Sequence, residues 1–230
     1  RALGMAVATA TLSVALDVGD RLAREFRSLG ANLLVTPQGD TLPLEIGGVD
    51  YRPVDAGAYL PEAELGKLKT IFWRLNIVGF APFLEVPAEF HPSSGAANAL
   101  LGSDTRFRAA MIGTWYRHAV AIPDGTTFTT GVGATNPWWE VEGRWFDDNP
   151  SEQRKECVLG AALARRNGIR PGDELNVSTG TVPGETGRYE RLVVTGTLTT
   201  GGPEEEAVLA PLPVAQGLAG RAGQFRRLLV

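Results

Sequence analysis

The first 29 residues change character once, and that change limits what the rest of the chain can fold into. Ala2 to Leu16, "ALGMAVATATLSVAL", carries no charge over 15 residues, short of the ~20 that a helix needs to cross a bilayer. Three readings fit the stretch by itself. It is a buried core helix, a signal-peptide apolar region with Ala8-Thr9-Ala10 as a small-x-small cleavage site, or the outer half of a membrane helix that begins upstream. The next residues favour the third. In "DVGDRLAREFRSLG" and just before it, Val14, Val18, Leu22, Phe26 and Leu29 recur at helical spacing while Asp17, Asp20, Arg21, Arg24, Glu25 and Arg27 fill the other faces. One helix is therefore expected from about Ala2 to Leu29, apolar all round at first and amphipathic later. Gly30 is its expected stop, because glycine tolerates the left-handed conformation that ends helices.

The remaining 200 residues are long enough for one large domain or two small ones. With 43% hydrophobic and 21% charged residues, the chain is neither a disordered tail nor a polytopic bundle. A net charge of −4 without a dense Lys/Arg block argues against nucleic acid, which needs a basic footprint. Cys157 is the only cysteine, so no internal disulfide forms, and cysteine usage does not decide the compartment. The 28 glycines and 15 prolines favour short strands joined by tight turns.

"ANLLVTP" reads as a strand ended by Pro37, and "EIGGVDYRPVDAG" as a loop. "PEAELGKLKTIFWRL" reads as a helix, with Pro61 at a permitted first-turn position and Leu65, Leu68 and Phe72 on one face. "NIVGFAPFLEV" reads as a second strand, which makes the unit βαβ-like. Past "HPSSGAANALLGSD" strands dominate: "RFRAAMIGTWYRHAVAI", "GTTFTTGVG" and "WWEVEGRWF" are rich in aromatic, Thr and Val residues. "KECVLGAALARRNGIRPGDELNVSTG" gives a strand, a short helix capped at Asn167-Gly168, a turn at Pro171-Gly172-Asp173 and another strand. "RYERLVVTGTLTT" is a strand, "GGPEEE" a loop, "AVLAPLPVAQGLAG" a strand and short helix, and "QFRRLLV" a last strand. A chain that stops on an apolar strand is expected to continue beyond Val230.

Catalytic signatures are few. No G-x-x-x-x-G-K-[ST] occurs, and "GVGATN", Gly131 to Asn136, is a Gly-rich turn without the third glycine or following helix of a phosphate loop. There is no G-x-S-x-G elbow, and His91 and His118 lack metal-ligand spacing. Cys157 paired in space with a histidine is one reading; a small buried hydrophobe in "ECVLG" is the favoured one. Glu204-Glu205-Glu206 lacks the alternating pattern of a calcium loop and reads as a solvated tip. No catalytic, cofactor or metal residue is assigned. The most suggestive group is aromatic: Trp138, Trp139, Trp145 and Phe146, with Trp115 and Tyr116 upstream. It forms either a stacking surface for an apolar or amphipathic cargo or partner, or alternate core positions of a small sheet.

The order of "SLGANLLVTP" after an apolar helix, "WEVEGRWFDD", "ECVLGAALARRNGIRPGDELNV", "LVVTGTLTTGG" and "AVLAPLPVAQGLAG" resembles the periplasmic core domain of the MacB/FtsX-like permeases of ABC transporters, over almost the whole chain. The resemblance implies an α+β fold: a discontinuous α/β, βαβ-like subdomain with an inserted small β-rich subdomain. Mapped here, Arg1 to Leu29 is the end of the first membrane helix and its extension. Residues 30–112 plus 200–230 form the α/β subdomain, truncated at its C-terminus, and residues 113–199 the insert. It also implies a bacterial inner-membrane permease with this domain on the periplasmic side. Such permeases work as homodimers on a separate cytoplasmic ATP-binding subunit, in some cases with a periplasmic adaptor, and transmit motion for export or release of a substrate. No coiled-coil hairpin or partner-docking loop that would mark a subfamily is visible. The alternative from another class is a self-standing secreted module that binds a ligand through the tryptophan surface.

Overall fold

The computed structural model describes residues 33–38, 45–46, 49–50, 58–94, 106–151, 154–179 and 188–230. The helix expected over Ala2 to Leu29 and its stop at Gly30 lie outside the described residues. Among those described, no helix is long and apolar enough to cross a membrane.

The architecture is mixed α and β, organised around one large sheet. The chain enters through β1 (Leu34–Val35), and a small ribbon pairs β2 (Glu45–Ile46) with β3 (Val49–Asp50) inside a stretch read as loop. β4 (Leu60–Pro61) leads into a 3₁₀ helix, Glu62–Lys69. The expected helix is thus shorter and tighter than its periodicity suggests. Leu65 is buried, but Phe72 has left the helix and is exposed. β5 follows as a 14-residue strand, Ala81–Ser94.

β1 and β5 both pair antiparallel with the last strand, β15 (Arg227–Leu229). They are therefore parallel to each other, joined by a crossover as the βαβ-like reading requires, with β15 lying between them. Next come β6 (Phe107–Thr114), the hairpin β7 (His118–Ala121) with β8 (Thr127–Thr130), and a four-residue helix α1 (Val132–Thr135). β9 (Glu140–Gly143), β10 (Lys155–Gly160), α2 (Ala161–Asn167), β11 (Glu174–Thr179) and β12 (Arg188–Thr199) follow. α2 ends on Gly168 at φ +61°, as the Asn-Gly signal anticipates. "GGPEEE" contains a 3₁₀ turn, Pro203–Glu206, before β13 (Val208–Pro211), α3 (Leu212–Ala219) and β14 (Gln224–Phe225).

Six strands close on themselves: β5 pairs with β11, β11 with β12, β12 with β10, β10 with β13, β13 with β6, and β6 with β5. Because strand side chains alternate between faces, every strand of the ring except β11 serves two cores. Leu84, Val86, Ala88 and Phe90 of β5 meet Met111, Cys157, Leu159, Leu175, Val177, Leu192, Val194, Val208 and Ala210 in one cluster, which α3 completes through Leu212, Ala215 and Leu218. The neighbours one position out of phase, Ala81, Phe83, Ala110, Ile112, Val158 and Leu209, form a second cluster with Val132, Phe146 and Leu198, which lies beyond the register shift between β10 and β12. Strands from both halves of the chain are therefore interleaved in one ring.

Candidate functional site

The second cluster is where the aromatic residues go. Strand β9 pairs along β12, and the chain after it lays Trp145 over Tyr116, rings 4.7 Å apart and 9° from parallel. Trp139 continues the stack at 6.5 Å, and Phe146 meets Trp145 edge-on at 5.7 Å. The Arg117 guanidinium lies 5.3 Å from the Tyr116 centroid. Of the four residues that stood out in the sequence, Phe146 is buried core, Trp139 and Trp145 are half-buried, and Trp138 is exposed. Trp115 is in the other cluster, stacked 4.4 Å from His118. The structure thus joins Trp139, Trp145, Tyr116 and Phe146 and separates Trp115 from them.

Polar groups hold this face in shape. Asp148 is buried, and its two carboxylate oxygens accept the backbone N–H groups of Tyr116 at 2.7 Å and Arg117 at 2.6 Å. Burial nevertheless pushes its carboxyl above the ordinary value, because those two hydrogen bonds and the nearby His118 offset the desolvation only in part. Glu156 accepts a bidentate pair from Arg144 at 2.5 and 2.6 Å and a further contact from Arg154. The Arg144 hydrogen bond holds the Glu156 carboxyl below its ordinary value and the Arg144 guanidinium above its own. Gly131, at φ +138°, opens α1 where a Cβ would lie 2.4 Å from the Tyr116 carbonyl oxygen. "GVGATN" is therefore a packing turn at Gly131 that opens directly into a single helical turn, Val132–Thr135, capped by Asn136.

The other candidates are each engaged elsewhere. Cys157 is fully buried in β10, and burial pushes its thiol well above the ordinary range, so the nucleophilic thiolate is disfavoured. His91 lies 3.2 Å from the Asn176 amide. Glu205 accepts the N–H groups of Thr200 and Gly201, which lower its carboxyl, and Glu206 pairs with Arg166. Among the described residues, no three His, Cys, Asp or Glu side chains gather as a metal site would require. A cleft of about 450 Å³ lies beside β7, lined by Glu62, Gly66, Trp115, His118, Val120 and Gly223. The Trp115 Nε1 and His118 Nδ1 atoms are sealed from solvent and have no hydrogen-bond partner among the described residues.

One surface was not legible as such in the sequence. Between the 3₁₀ helix and β5, the chain forms consecutive turns, with Arg74 N donating to Ile71 O and Asn76 N to Trp73 O. Lys69 braces them from below, its ammonium donating to Arg74 O at 2.9 Å and Ile77 O at 3.0 Å while sitting 4.1 Å from the centre of the Phe128 ring. The result holds apolar side chains outward: Phe72 and Leu75 are each 85% exposed, Val78 72% and Trp73 63%. In the sequence Phe72 reads as part of the apolar face of a helix that also takes in Trp73 and Leu75, and Val78 as part of the strand that follows.

The architecture defines a mixed α and β domain built on one large sheet. The chain belongs to the family of MacB-like periplasmic core domains, whose sequence profile matches residues 2–228. It is thereby a component of an ABC-transporter-like permease, on the extracytoplasmic side of a membrane protein. A comparison with curated proteins gives no significant match.

Proposed function

We propose that this chain transmits ATP-driven conformational change across the membrane, as the extracytoplasmic domain of a permease subunit that exports or releases a substrate. In this reading, Arg1 to Leu29 is the outer end of the first membrane helix and its stiff extension. The permease is a homodimer in a bacterial inner membrane, ATP is hydrolysed on a separate cytoplasmic subunit, and a periplasmic adaptor completes the path where the system has one. The observation that carries the reading is the family match over residues 2–228. A second feature supports it: the chain's entry and exit strands are hydrogen-bonded side by side, Leu33 N to Val230 O at 3.2 Å and Val230 N to Leu33 O at 2.9 Å. A push delivered along either segment reaches β1, β15 and β5 together, because hydrogen-bonded strands move as a unit.

The test is a flexible Gly-rich insertion at Gly30 in the full-length permease, reconstituted with its ATPase. A mechanical linkage predicts that transport-coupled ATP hydrolysis is lost while the ATPase retains its basal rate. Unchanged coupling would refute the mechanism. The Trp138, Trp139 and Trp145 face supplies a second reading, a contact surface for a ligand or a protein partner, supported by the solvent exposure of Trp138, the residue before Trp139 of the stacked rings.

A further inference from the structure

Strand β7 has one edge without a partner. It hydrogen-bonds β8 on one side, and among the described residues no strand joins the other. The register fixes which groups that free edge presents. Ile122 N donates to Thr126 O at 2.8 Å, and the pairs then run from Ala121↔Thr127 back to His118↔Thr130. Hydrogen-bonded and non-hydrogen-bonded pairs alternate along an antiparallel ladder. Val120 and His118 therefore bond β8, while the N–H and C=O groups of Ala119 and Ala121 point away from it. Both alanines are exposed, and their outward groups have no hydrogen-bond partner among the described residues. The edge strand β9 differs, because it carries Glu140 and Glu142 among its four residues, and charge on an edge guards against strand addition. β7 has no lysine, carboxylate or proline.

This edge forms a wall of the cleft of about 450 Å³, a volume within the roughly 300–1,000 Å³ of ligand sites. The 3₁₀ helix closes on one end of it, since a Cβ on Gly66 would lie 2.3 Å from the Ala121 carbonyl oxygen. The edge is thus covered at the Ala121 carbonyl and open at Ala119. The stacked rings of Trp115 and His118 also line the cleft, together with the small residues Ala63 and Gly223. Glu62 is the one carboxylate among the lining residues, and no lysine or arginine is among them. Its Oε2 accepts a hydrogen bond from Gln216 Nε2 at 2.8 Å, which holds the side chain in place, and its Oε1 has no partner among the described residues.

These features select a ligand. An N–H and a C=O presented together by one residue of a strand edge are matched by one extended residue of another chain, which exchanges two hydrogen bonds with it. The rings suit an apolar side chain beside that residue, and an unopposed carboxylate favours a cationic side chain over an acidic one.

We propose that the β7 cleft is a strand-addition site, which takes an extended segment of a partner polypeptide onto Ala119 and receives a lysine or arginine of that segment at Glu62. The site is distinct from the tryptophan face: Trp115 belongs to the first core cluster, whereas Trp139 and Trp145 pack on the second.

The experiment titrates the 230-residue chain, labelled for amide NMR, with a blocked pentapeptide of alternating valine and lysine. Two counterparts carry glutamate in place of lysine, or N-methyl groups on the backbone amides, which keep the side chains and remove the donors. Strand addition predicts saturable shifts of the Ala119 and Ala121 amide signals with a dissociation constant of about 1 mM. Hydrogen exchange at the Ala119 amide should slow by at least about fivefold near saturation, a change that contact through side chains alone would not produce. The glutamate peptide should bind at least about fivefold more weakly, Glu62→Gln should narrow that gap, and the N-methylated peptide should give no saturable shift. An N-methylated peptide that binds as well as its parent, or an Ala119 amide that exchanges at its free rate in the saturated complex, would overturn the inference. So would a glutamate peptide that binds as tightly as the lysine one, or the absence of saturable shifts at Ala119 and Ala121 with any peptide up to about 10 mM. Each of these results would leave intact the coupling reading, which the insertion at Gly30 tests separately.

Discussion

Replacing Gly160 with alanine tests the corner where β10, α2 and the 203–206 turn meet. The backbone there is ordinary, φ −59° and ψ 139°, so an alanine costs nothing conformationally and the effect is purely steric. A Cβ on residue 160 would sit 2.3 Å from both the carbonyl carbon and oxygen of Glu205, and 2.5 Å from the Glu204 oxygen. Carbon atoms settle about 3.5–4.0 Å apart, and the obstruction is backbone, so β10 and the turn must separate by roughly 1 Å or more. That displacement stretches the hydrogen bond from Gly160 N to Ala207 O, now 2.9 Å, and loads the adjoining β10–β13 pairs Leu159↔Val208 and Val158↔Leu209. Overpacking of about 1–3 kcal/mol with a hydrogen bond worth about 1 gives an expected loss of about 2–4 kcal/mol. In urea unfolding followed by circular dichroism, the midpoint should fall by about 1–2 M. Gly217→Ala is the control. Gly217 is an exposed position inside α3 where, among the described residues, no atom outside the helix's own backbone lies within 4 Å of the place its Cβ would occupy, so alanine there should stabilise by about 0.5–1 kcal/mol through helix propensity and a less flexible unfolded chain. A Gly160→Ala midpoint within about 0.2 M of the unsubstituted chain would refute the packing described for this corner.

Two further substitutions probe the polar and buried groups. Glu156→Gln should cost about 1 kcal/mol near neutral pH, discounted for the half-exposed Arg144 partner. Since the folded carboxyl lies below its ordinary value of 4.5, the contribution is whole above that pH and disappears as pH falls through the depressed value. Stability curves of the two proteins should therefore converge in acid; a gap that persists in acid would show that the hydrogen-bonded charge is not the cause. Cys157 should resist thiol reagents in the folded protein and react on unfolding, and Cys157→Ser should cost about 2 kcal/mol by placing a hydroxyl among apolar side chains. Rapid native labelling would contradict its burial.

Much of the local structure could be read without coordinates, because it depends on neighbours in sequence. The strands at "KECVLG", "ELNVST" and "RYERLVVTGTLT" follow from β-branched and aromatic alternation. The end of α2 follows from Asn167-Gly168, and the inert character of Cys157 from its apolar neighbours. The family resemblance rested on the order of such segments, and the profile match over residues 2–228 bears it out. The helix expected from Pro61 to Leu75 shows where local reasoning stops. Leu65 and Leu68 have the right spacing, but the chain leaves the helix at Lys69, because the Lys69 ammonium caps a run of turns and the following residues must reach the start of β5.

The remainder was decided by contacts far apart in sequence. That β5 binds β11 at one level and β15 at another, that β10 lies between β12 and β13, and that the pairings close into a ring are matters of register, set by how complete side-chain faces fit together. Residue type likewise did not separate the aromatic group. Phe146 went to the core, Trp138 to solvent, and Trp115 to the opposite core from Trp145, because the face a side chain joins depends on which strand covers it. An apolar run such as Ile71 to Val78 reads as interior in sequence, and only the tertiary structure turns it outward. By itself, the sequence determined the local elements, the absence of a basic nucleic-acid footprint and the family. The fold decided which apolar residues are core and which are surface, since burial belongs to the assembled chain and not to the residue.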